Sequence, residues 1–230
     1  MNVLSLFDGM SCGQIALGLA GVSVDKYYAS ELDKYAIKVT QANYPNTFQL
    51  GDVTQWREWD IDWASIDLLI GGSPCQGFSF SGKQLAFDDP RSKLFFVYVD
   101  ILNHIKSVNP NIKFMLENVK MKKEYLAVIS ERLGVEPVFI NSALVSAQNR
   151  RRYYWCNWNV EQPEDKGIVL ADVLEKEVDE KYFLSEKLLN GFIAKQKRRK
   201  EKKSGFDNLA VVDLNGKSPT ITARYHKMSD

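Results

Sequence analysis

Cysteine is scarce in this chain, three among 230 residues. Cys12, Cys75 and Cys156 stand far apart, which excludes both the even-numbered framework of a small secreted protein and the paired short spacing of a zinc site. A reducing, intracellular setting is expected, with no metal. An excess of charge of one sign is also lacking: 30 basic against 29 acidic residues leave a net charge of +1. Any affinity for nucleic acid must therefore come from local basic patches and not from a global field. No apolar stretch approaches the roughly 18 residues of a membrane span. The opening Met1-Asn2-Val3-Leu4-Ser5-Leu6-Phe7-Asp8 has no basic flank, and an acid stands where a signal peptide's core would continue. It reads as a first strand of a soluble protein without a membrane partner. Internal repeats and low-complexity segments are absent as well.

What is present is a globular composition, 45% hydrophobic and 26% charged, enough to bury one sizeable core and make one principal domain. Through residue 156 short apolar runs alternate with segments of helical period, the pattern of an α/β protein with a mainly parallel sheet covered by helices. Strands are expected at Val3 to Phe7, Asp25 to Ser30, Thr47 to Leu50, Asp67 to Ile70, Lys113 to Glu117 and Val138 to Asn141, with a seventh at Tyr153 to Cys156. Leu94, Phe95, Val97, Tyr98, Ile101, Leu102 and Ile105 recur at three- and four-residue steps and predict a helix with one apolar face on the sheet. The polar, basic stretch Ser142 to Arg152 leaves no room for a full helix, so a hairpin-like, antiparallel finish to the sheet is open. After Trp158 the texture turns polar and turn-rich, placing a boundary near residue 157.

Two groups of strand ends carry candidate chemistry. Phe7-Asp8-Gly9-Met10-Ser11-Cys12-Gly13 makes a glycine-bearing turn between the first strand and a helix, where ligands favour open α/β sheets. The spacing lacks the full Gly-x-Gly-x-x-Gly of dinucleotide sites, so a nucleoside without phosphates fits better than a pyrophosphate. Glu31, 22 residues beyond Gly9 at the end of the second strand, can accept hydrogen bonds from ribose hydroxyls. Asp52, ending the third strand, can accept from an adenine amino group. Each acid alone could be a cap or surface carboxylate; Asp8, Glu31 and Asp52 on three successive strand ends weigh against that. Phe7 suits either the core or a cofactor.

The second group begins with Gly71-Gly72-Ser73-Pro74-Cys75-Gln76-Gly77, directly after an apolar strand. Its glycines permit close approach by a ligand, and Pro74 stiffens the turn that presents the thiol. Cys12 and Cys156 are adequately read as small buried hydrophobes. Cys75 is read as a nucleophile, which needs an acid partner or a lowered pKa. Glu117, in Glu117-Asn118-Val119 at the end of the Lys113 strand, is the obvious partner. Gln148-Asn149-Arg150-Arg151-Arg152 sets guanidiniums near the same edge, and strand alternation points Arg150 and Arg152 one way and Arg151 the other.

Phe7-Asp8-Gly9, Gly72-Ser73-Pro74-Cys75, Glu117-Asn118-Val119 and Gln148-Asn149-Arg150-Arg151-Arg152, in this order, resemble the motifs of DNA cytosine-5 methyltransferases. Asp89-Pro90-Arg91-Ser92-Lys93-Leu94-Phe95 is similar to the segment after that family's catalytic loop. Ser218-Pro219-Thr220-Ile221-Thr222 is similar to the motif after its variable recognition region. The resemblance implies an S-adenosylmethionine-dependent methyltransferase-like, Rossmann-like mixed sheet with helices on both faces. It further implies a catalytic and cofactor-binding domain over 1–156, a compact target-recognition region over 157–217, and a return to the catalytic domain over 218–230. By the same resemblance, S-adenosyl-L-methionine is the methyl donor, held by Phe7, Asp8, Gly9 and Gly13, by Glu31, Leu32, Asp52 and Val53, and by Pro74 and Leu94. Double-stranded DNA is the partner whose flipped cytosine Cys75 attacks, with Glu117, Arg150 and Arg152 assisting and Gln76 to Asp88 closing as a lid. The setting is cytoplasmic if the source is bacterial or a phage.

The family's chain continues beyond the motif resembling Ser218 to Thr222. Three expectations stay open: a fragment, a second chain supplying the C-terminal segment, or a catalytically inactive DNA-binding or regulatory paralogue. Retention of Cys75, Glu117 and Arg152 together favours the enzyme-type chain.

The one dense charge cluster is Lys195 to Lys203, Lys-Gln-Lys-Arg-Arg-Lys-Glu-Lys-Lys, readable as a solvated helix end or as a phosphate contact. If it contacts phosphates, neutralising several of these charges flattens the salt dependence of DNA binding, each lost contact removing about 0.9 from the log-log slope on duplex DNA. An unchanged slope in a salt titration would make the run a solvated helix end.

Overall fold

A computed structural model describes residues 1–74, 93–201 and 213–220, apart from the side chains of 195–197 and 199–201. Cys75, the expected lid from Gln76 to Asp88, Asp89 to Ser92, Lys202, Lys203, Ile221 and Thr222 lie outside the described residues. By internal contacts the chain divides into two units, Met1–Ile140 with Arg152–Glu161, and Asn141–Arg151 with Gln162–Asp230.

Every expected strand is present in one seven-stranded sheet: β1 Asn2–Leu6, β2 Lys26–Ser30, β3 Phe48–Gln49, β4 Leu68–Gly71, β5 Lys113–Val119, β6 Pro137–Asn141 and β7 Arg151–Cys156. Their order is β3-β2-β1-β4-β5-β7-β6. Pairing is parallel from β3 to β5, and β7 runs antiparallel to β5, so the sheet is mixed. The winding direction reverses between β1 and β4. In an open α/β sheet that switch point, at the carboxyl ends of the strands, is where a crevice forms. The turns leaving β1 and β4 both start there.

Strand alternation sorts the apolar residues onto two faces. Leu4, Leu6, Tyr28, Leu69, Phe114 and Leu116 face the larger core cluster. Helices α3, Lys93–Val108, and α4, Lys123–Leu133, pack there through Phe95, Tyr98, Ile101, Leu102, Ile105, Ile129 and Leu133. The expected face of α3 holds, with Val99 buried and Leu94 and Val97 only half-buried. Helix α4 stops on Gly134, whose φ of 73° is the left-handed cap that glycine adopts without a Cβ clash. Val3, Tyr27, Ala29, Leu68 and Ile70 face the smaller cluster, against Leu17 of α1, Cys12–Leu19. Helix α2, Lys34–Asn43, is capped by Asp33, whose carboxylate accepts from the Tyr35 and Ala36 amides.

In the second unit, Asn149 N–H donates to the Ser218 carbonyl at 2.8 Å, and Ser218 N–H to the Ala147 carbonyl at 2.7 Å. Thr220 Oγ1 donates to the Asn149 carbonyl at 2.6 Å. These bonds tie 218–220 to 147–149. Helices α5, Leu170–Val173, and α6, Glu186–Glu201, also belong here. Leu188, Leu189 and Ile193 of α6 are exposed. Among the described residues no helix is long and apolar enough to cross a membrane.

The antiparallel strand is anchored by Trp155, fully buried opposite Leu116, with its indole N–H donating to Ser130 Oγ at 3.0 Å. Trp155→Ala removes that packing and opens a cavity, so it should destabilise by about 3 to 5 kcal/mol. Urea unfolding checks this; a loss below about 1 kcal/mol would mean that β7 is not seated in the core.

Candidate active site

The turn after β1 carries two non-glycine residues in the left-handed region, Phe7 at φ 58° and Ser11 at φ 61°, with Gly9 between them at φ 61°. L-residues adopt this backbone only when their surroundings hold it. Asp8 supplies that hold. Its carboxylate accepts from Tyr27 Oη at 2.8 Å and from the Ser11 hydroxyl, and its N–H donates to the Ser30 carbonyl at 3.2 Å. Burial, and then the Asp8 carboxylate, push the Tyr27 hydroxyl far above the usual tyrosine range, so it stays a donor at neutral pH. Gly13 meets the same group from α1: a Cβ there would lie 2.6 Å from Tyr27 Oη and 2.5 Å from Ile70 Cδ1. Its visible task is close helix–sheet packing, whereas a Cβ on Gly9 would meet nothing within 4 Å.

Glu31, half-buried at the end of β2, accepts from Gly9 N–H at 2.8 Å through one oxygen. Through the other it accepts from Leu32 and Asp33 N–H at 2.7 and 2.8 Å. One carboxylate thus locks the first turn to the second strand end. Each carboxylate oxygen has two lone pairs, so acceptor capacity remains for a ligand hydroxyl. Asp52 caps the short 3-10 helix Val53–Glu58, accepting from the Thr54 N–H and hydroxyl, both at 2.8 Å. Leu32 is exposed, and Val53 and Leu94 pack in or against the larger core. What Val53 can offer a ligand is therefore its main chain. Space above Gly9, a strand-end carboxylate and a second acid one strand over suit a nucleoside-containing group, in the donor and acceptor chemistry of the residues themselves. Among the described residues no cluster of three His, Cys, Asp or Glu side chains could hold a metal.

At the other strand ends, Glu117 and Arg152 meet. Arg152 lies opposite Val119 in the antiparallel register, which makes Glu117 its diagonal neighbour on the same face. Arg152 Nε sits 2.6 Å from Glu117 Oε1, with side chains 15% and 27% exposed, so the pair is shielded from bulk water. The second oxygen faces the β4 exit: a Cβ on Gly72 would lie 3.1 Å from Glu117 Oε2. On the opposite face Asn118, 2% exposed, donates from Nδ2 to the Ser73 carbonyl at 3.2 Å and its hydroxyl at 3.3 Å. Pro74 follows, half-buried.

Arg150 belongs to the second unit. Its N–H donates to Asn141 Oδ1 and its carbonyl accepts from Ser142 N–H, both at 3.0 Å. Arg151 is exposed where Arg152 is not, in keeping with strand alternation. One expectation needs correcting: Cys12 is exposed, because the outer side of α1 carries no covering element among the described residues. Cys156 is half-buried, and burial pushes its thiol up to about 11, so its nucleophilic thiolate is scarce at neutral pH. The role of Tyr27 escaped sequence reading, since a strand tyrosine carries no signal of a buried carboxylate partner. The amide of Asn118 stood inside a recognised motif without a role.

Glu31 generates a direct test. Glu31→Gln keeps the side chain's size but turns an NH2 toward one of three N–H donors, so the Gly9 turn loses its lock. Affinity for S-adenosylmethionine should fall by about 1 to 3 kcal/mol, read by titration calorimetry; unchanged affinity would separate this carboxylate from ligand binding.

The family model of the C-5 cytosine-specific DNA methylases matches residues 1–230. The type II methyltransferase M1.ScrFI of Lactococcus lactis subsp. cremoris is 33% identical over 249 residues, covering 98% of this chain and 62% of that protein. For M.NlaX of Neisseria lactamica the identity is 33% over 247 residues, covering 98% of this chain and 76% of that protein. The chain thus spans less than two thirds of M1.ScrFI and about three quarters of M.NlaX. Among solved structures, a Spodoptera frugiperda DNMT2 mutant superposes with a TM-score of 0.66 at 21% identity, covering 100% of this chain and 72% of that one. S. pombe Dnmt2 gives 0.63 at 18% identity, covering 98% and 72%. At those identities the likeness establishes the fold alone, a Rossmann-like mixed sheet. The match of the family model along residues 1–230 carries the assignment: this chain belongs to the C-5 cytosine-specific DNA methylase family.

Proposed function

We propose that this chain transfers a methyl group from S-adenosylmethionine to carbon 5 of cytosine in double-stranded DNA, through a covalent adduct at Cys75. The observation that carries the reading is the shielded Glu117–Arg152 pair at 2.6 Å, with Glu117 Oε2 turned toward Gly72. A carboxylate held by a guanidinium, set against a glycine that precedes Cys75 by three residues in sequence, is the equipment for polarising a ring that a thiolate attacks.

The target carbon cannot be reached inside a duplex, so the cytosine leaves the stack at a cost of a few kcal/mol. The Cys75 thiolate forms a bond to C6, and the electron pair of the C5–C6 double bond moves into the ring toward N3 and the carbonyl oxygen. Glu117 holds the proton at N3 that balances this charge. Arg152 keeps Glu117 in place and adds positive potential at the carbonyl, with Arg150 as a second cation in the reading. Carbon 5 is thereby made nucleophilic. S-adenosylmethionine, when bound, supplies an electrophilic methyl group; Glu31, Asp52 and the Phe7–Gly9 turn bind and orient its nucleoside. After transfer, loss of the C5 proton to a base re-forms the double bond and expels the Cys75 thiolate. Residues 157–217, with the basic run Lys195 to Lys203, are the part proposed to read and hold the DNA. Gln76 to Asp88 is proposed to exclude water from the reacting base.

The test uses duplex DNA carrying 5-fluorocytosine, in which fluorine cannot leave as a proton does. A stable protein–DNA adduct should accumulate in the presence of S-adenosylmethionine and disappear with Cys75→Ser, while tritiated methyl transfer to ordinary DNA is lost in the same variant. Methylation without trapping, or trapping that survives Cys75→Ser, would falsify the assignment of the nucleophile. DNA binding with neither methylation nor trapping would favour a non-catalytic DNA-binding protein.

A further inference from the structure

We propose that Tyr27 is a positioning residue for the cofactor, its hydroxyl holding the turn after β1 in shape through the carboxylate of Asp8. This rests on the reading of that turn as the seat of S-adenosylmethionine.

The turn needs a hold from outside, because Phe7 and Ser11 both have positive φ, a backbone that non-glycine residues keep only when their surroundings fix it. Part of the hold is internal. The Asp8 carbonyl accepts from Ser11 N–H at 3.2 Å, and the Ser11 hydroxyl donates to Asp8 Oδ2. Ser11 gives up another task for this: it stands at the N-cap of α1 but makes no side-chain cap bond. These two bonds close the turn on itself, whereas two others tie it to β2. Asp8 N–H reaches the Ser30 carbonyl at 3.2 Å, and Tyr27 Oη donates to Asp8 Oδ1 at 2.8 Å. Tyr27 is 3% exposed, opposite Val3 in the parallel register and packed in the smaller core cluster. The donor is therefore carried by a side chain with little freedom to move, where water is a poor substitute. Helix α1 is fitted around the same hydroxyl, since a Cβ on Gly13 would lie 2.6 Å from Tyr27 Oη. On the open side of the turn Glu31 Oε2 accepts from Gly9 N–H at 2.8 Å, fixing the glycine but not the Asp8 end. With both holds the turn is in shape before a ligand arrives. Without Tyr27 it is ordered only on binding, and that cost appears as lost affinity.

The inference is tested on the full chain by titrating S-adenosylmethionine calorimetrically into the parent, Tyr27→Phe, Asp8→Ala, the double variant, Tyr28→Phe and Glu31→Gln. Tyr27→Phe keeps the ring and its packing and loses only the donor, so affinity should fall by about 10-fold, the scale of one hydrogen bond to a charged group. If Tyr27 acts through Asp8, the same change made in the Asp8→Ala background should cost less than about twofold more, a coupling that two independent structural losses do not show. Tyr28→Phe, one residue along on the other face of β2, should stay within about twofold of the parent. Parent affinity in Tyr27→Phe, losses that multiply to about 100-fold in the double variant, an equal loss in Tyr28→Phe, or melting of Tyr27→Phe below the assay temperature would overturn the proposal. Binding by the parent that neither Glu31→Gln nor Tyr27→Phe weakens, or no saturable binding at all, would remove the reading of the turn as the cofactor's seat and this inference with it. Weakened binding by Glu31→Gln beside an unimpaired Tyr27→Phe would remove the positioning role alone.

Discussion

The ion pair between Glu117 and Arg152 depends on β7 running against its neighbour. In a parallel strand the start of β7 would lie beside the start of β5, and a residue at that start could not reach a carboxylate near the other end. Reversal brings residue 152 opposite residue 119 and diagonal to 117, a separation that a guanidinium spans easily. Trp155 pins the reversed strand from the opposite face, three residues further on and fully buried. A pair shielded to this degree is strongly unfavourable to break from one side, because the remaining charge is left poorly solvated. Fold topology, core packing and the electrostatics of the candidate site are one chain of dependence here.

The turn after β1 illustrates a different economy. Left-handed backbone at Phe7 and Ser11 costs on the order of 1 to 3 kcal/mol per residue. The return is a chain that doubles back sharply enough to free the space above Gly9 and still start α1. Asp8, Tyr27 and Ser11 hold the inner side of that turn, and Glu31 holds the outer side through Gly9. Asp8, read from sequence as one of three acids facing a ligand, is chiefly engaged beneath the turn. Glu31 is engaged as well, yet it stands at a strand end with lone pairs to spare, so fixing the loop and receiving a hydroxyl are compatible in it.

Strand positions were legible because buried parallel strands read as short apolar runs bounded by turn residues, and α3 because its apolar side chains recur at helical period. The reversal at β7 was legible only by elimination, from the lack of room for a crossover helix between Ser142 and Arg152. What stayed hidden were contacts made by residue types that also occur without function. Tyr27 has the pattern of any half-buried strand residue, and Asn118 that of a strand-end amide. Cys12 misled in the opposite sense: a cysteine opening an apolar helix reads as core, but core requires a neighbour on that side, and sequence period cannot supply the neighbour. The chemistry proposed for Cys75 rests on sequence order and chemical type, whereas Glu117 and Arg152, proposed to assist it, meet through the sheet.

The two glycines after β4 show how closely these parts constrain one another. A Cβ on Gly71 would stand 3.1 Å from the Leu6 carbonyl and 3.1 Å from the Tyr98 ring, so this glycine lets β1 and α3 close on the strand from two sides. A Cβ on Gly72 would stand 3.1 Å from Glu117 Oε2, so the next one lets a carboxylate lie against the backbone. Neither has the positive φ that singles out glycine on conformational grounds; both are required by approach. One serves the core and the other the candidate chemistry. The boundary between the two demands falls inside a single peptide unit, immediately where the ladder to β5 ends and the side chain of Asn118 takes over as hydrogen-bond donor. Side chains on β5 therefore do what strand pairing does one residue earlier, holding the backbone in register after the sheet has released it.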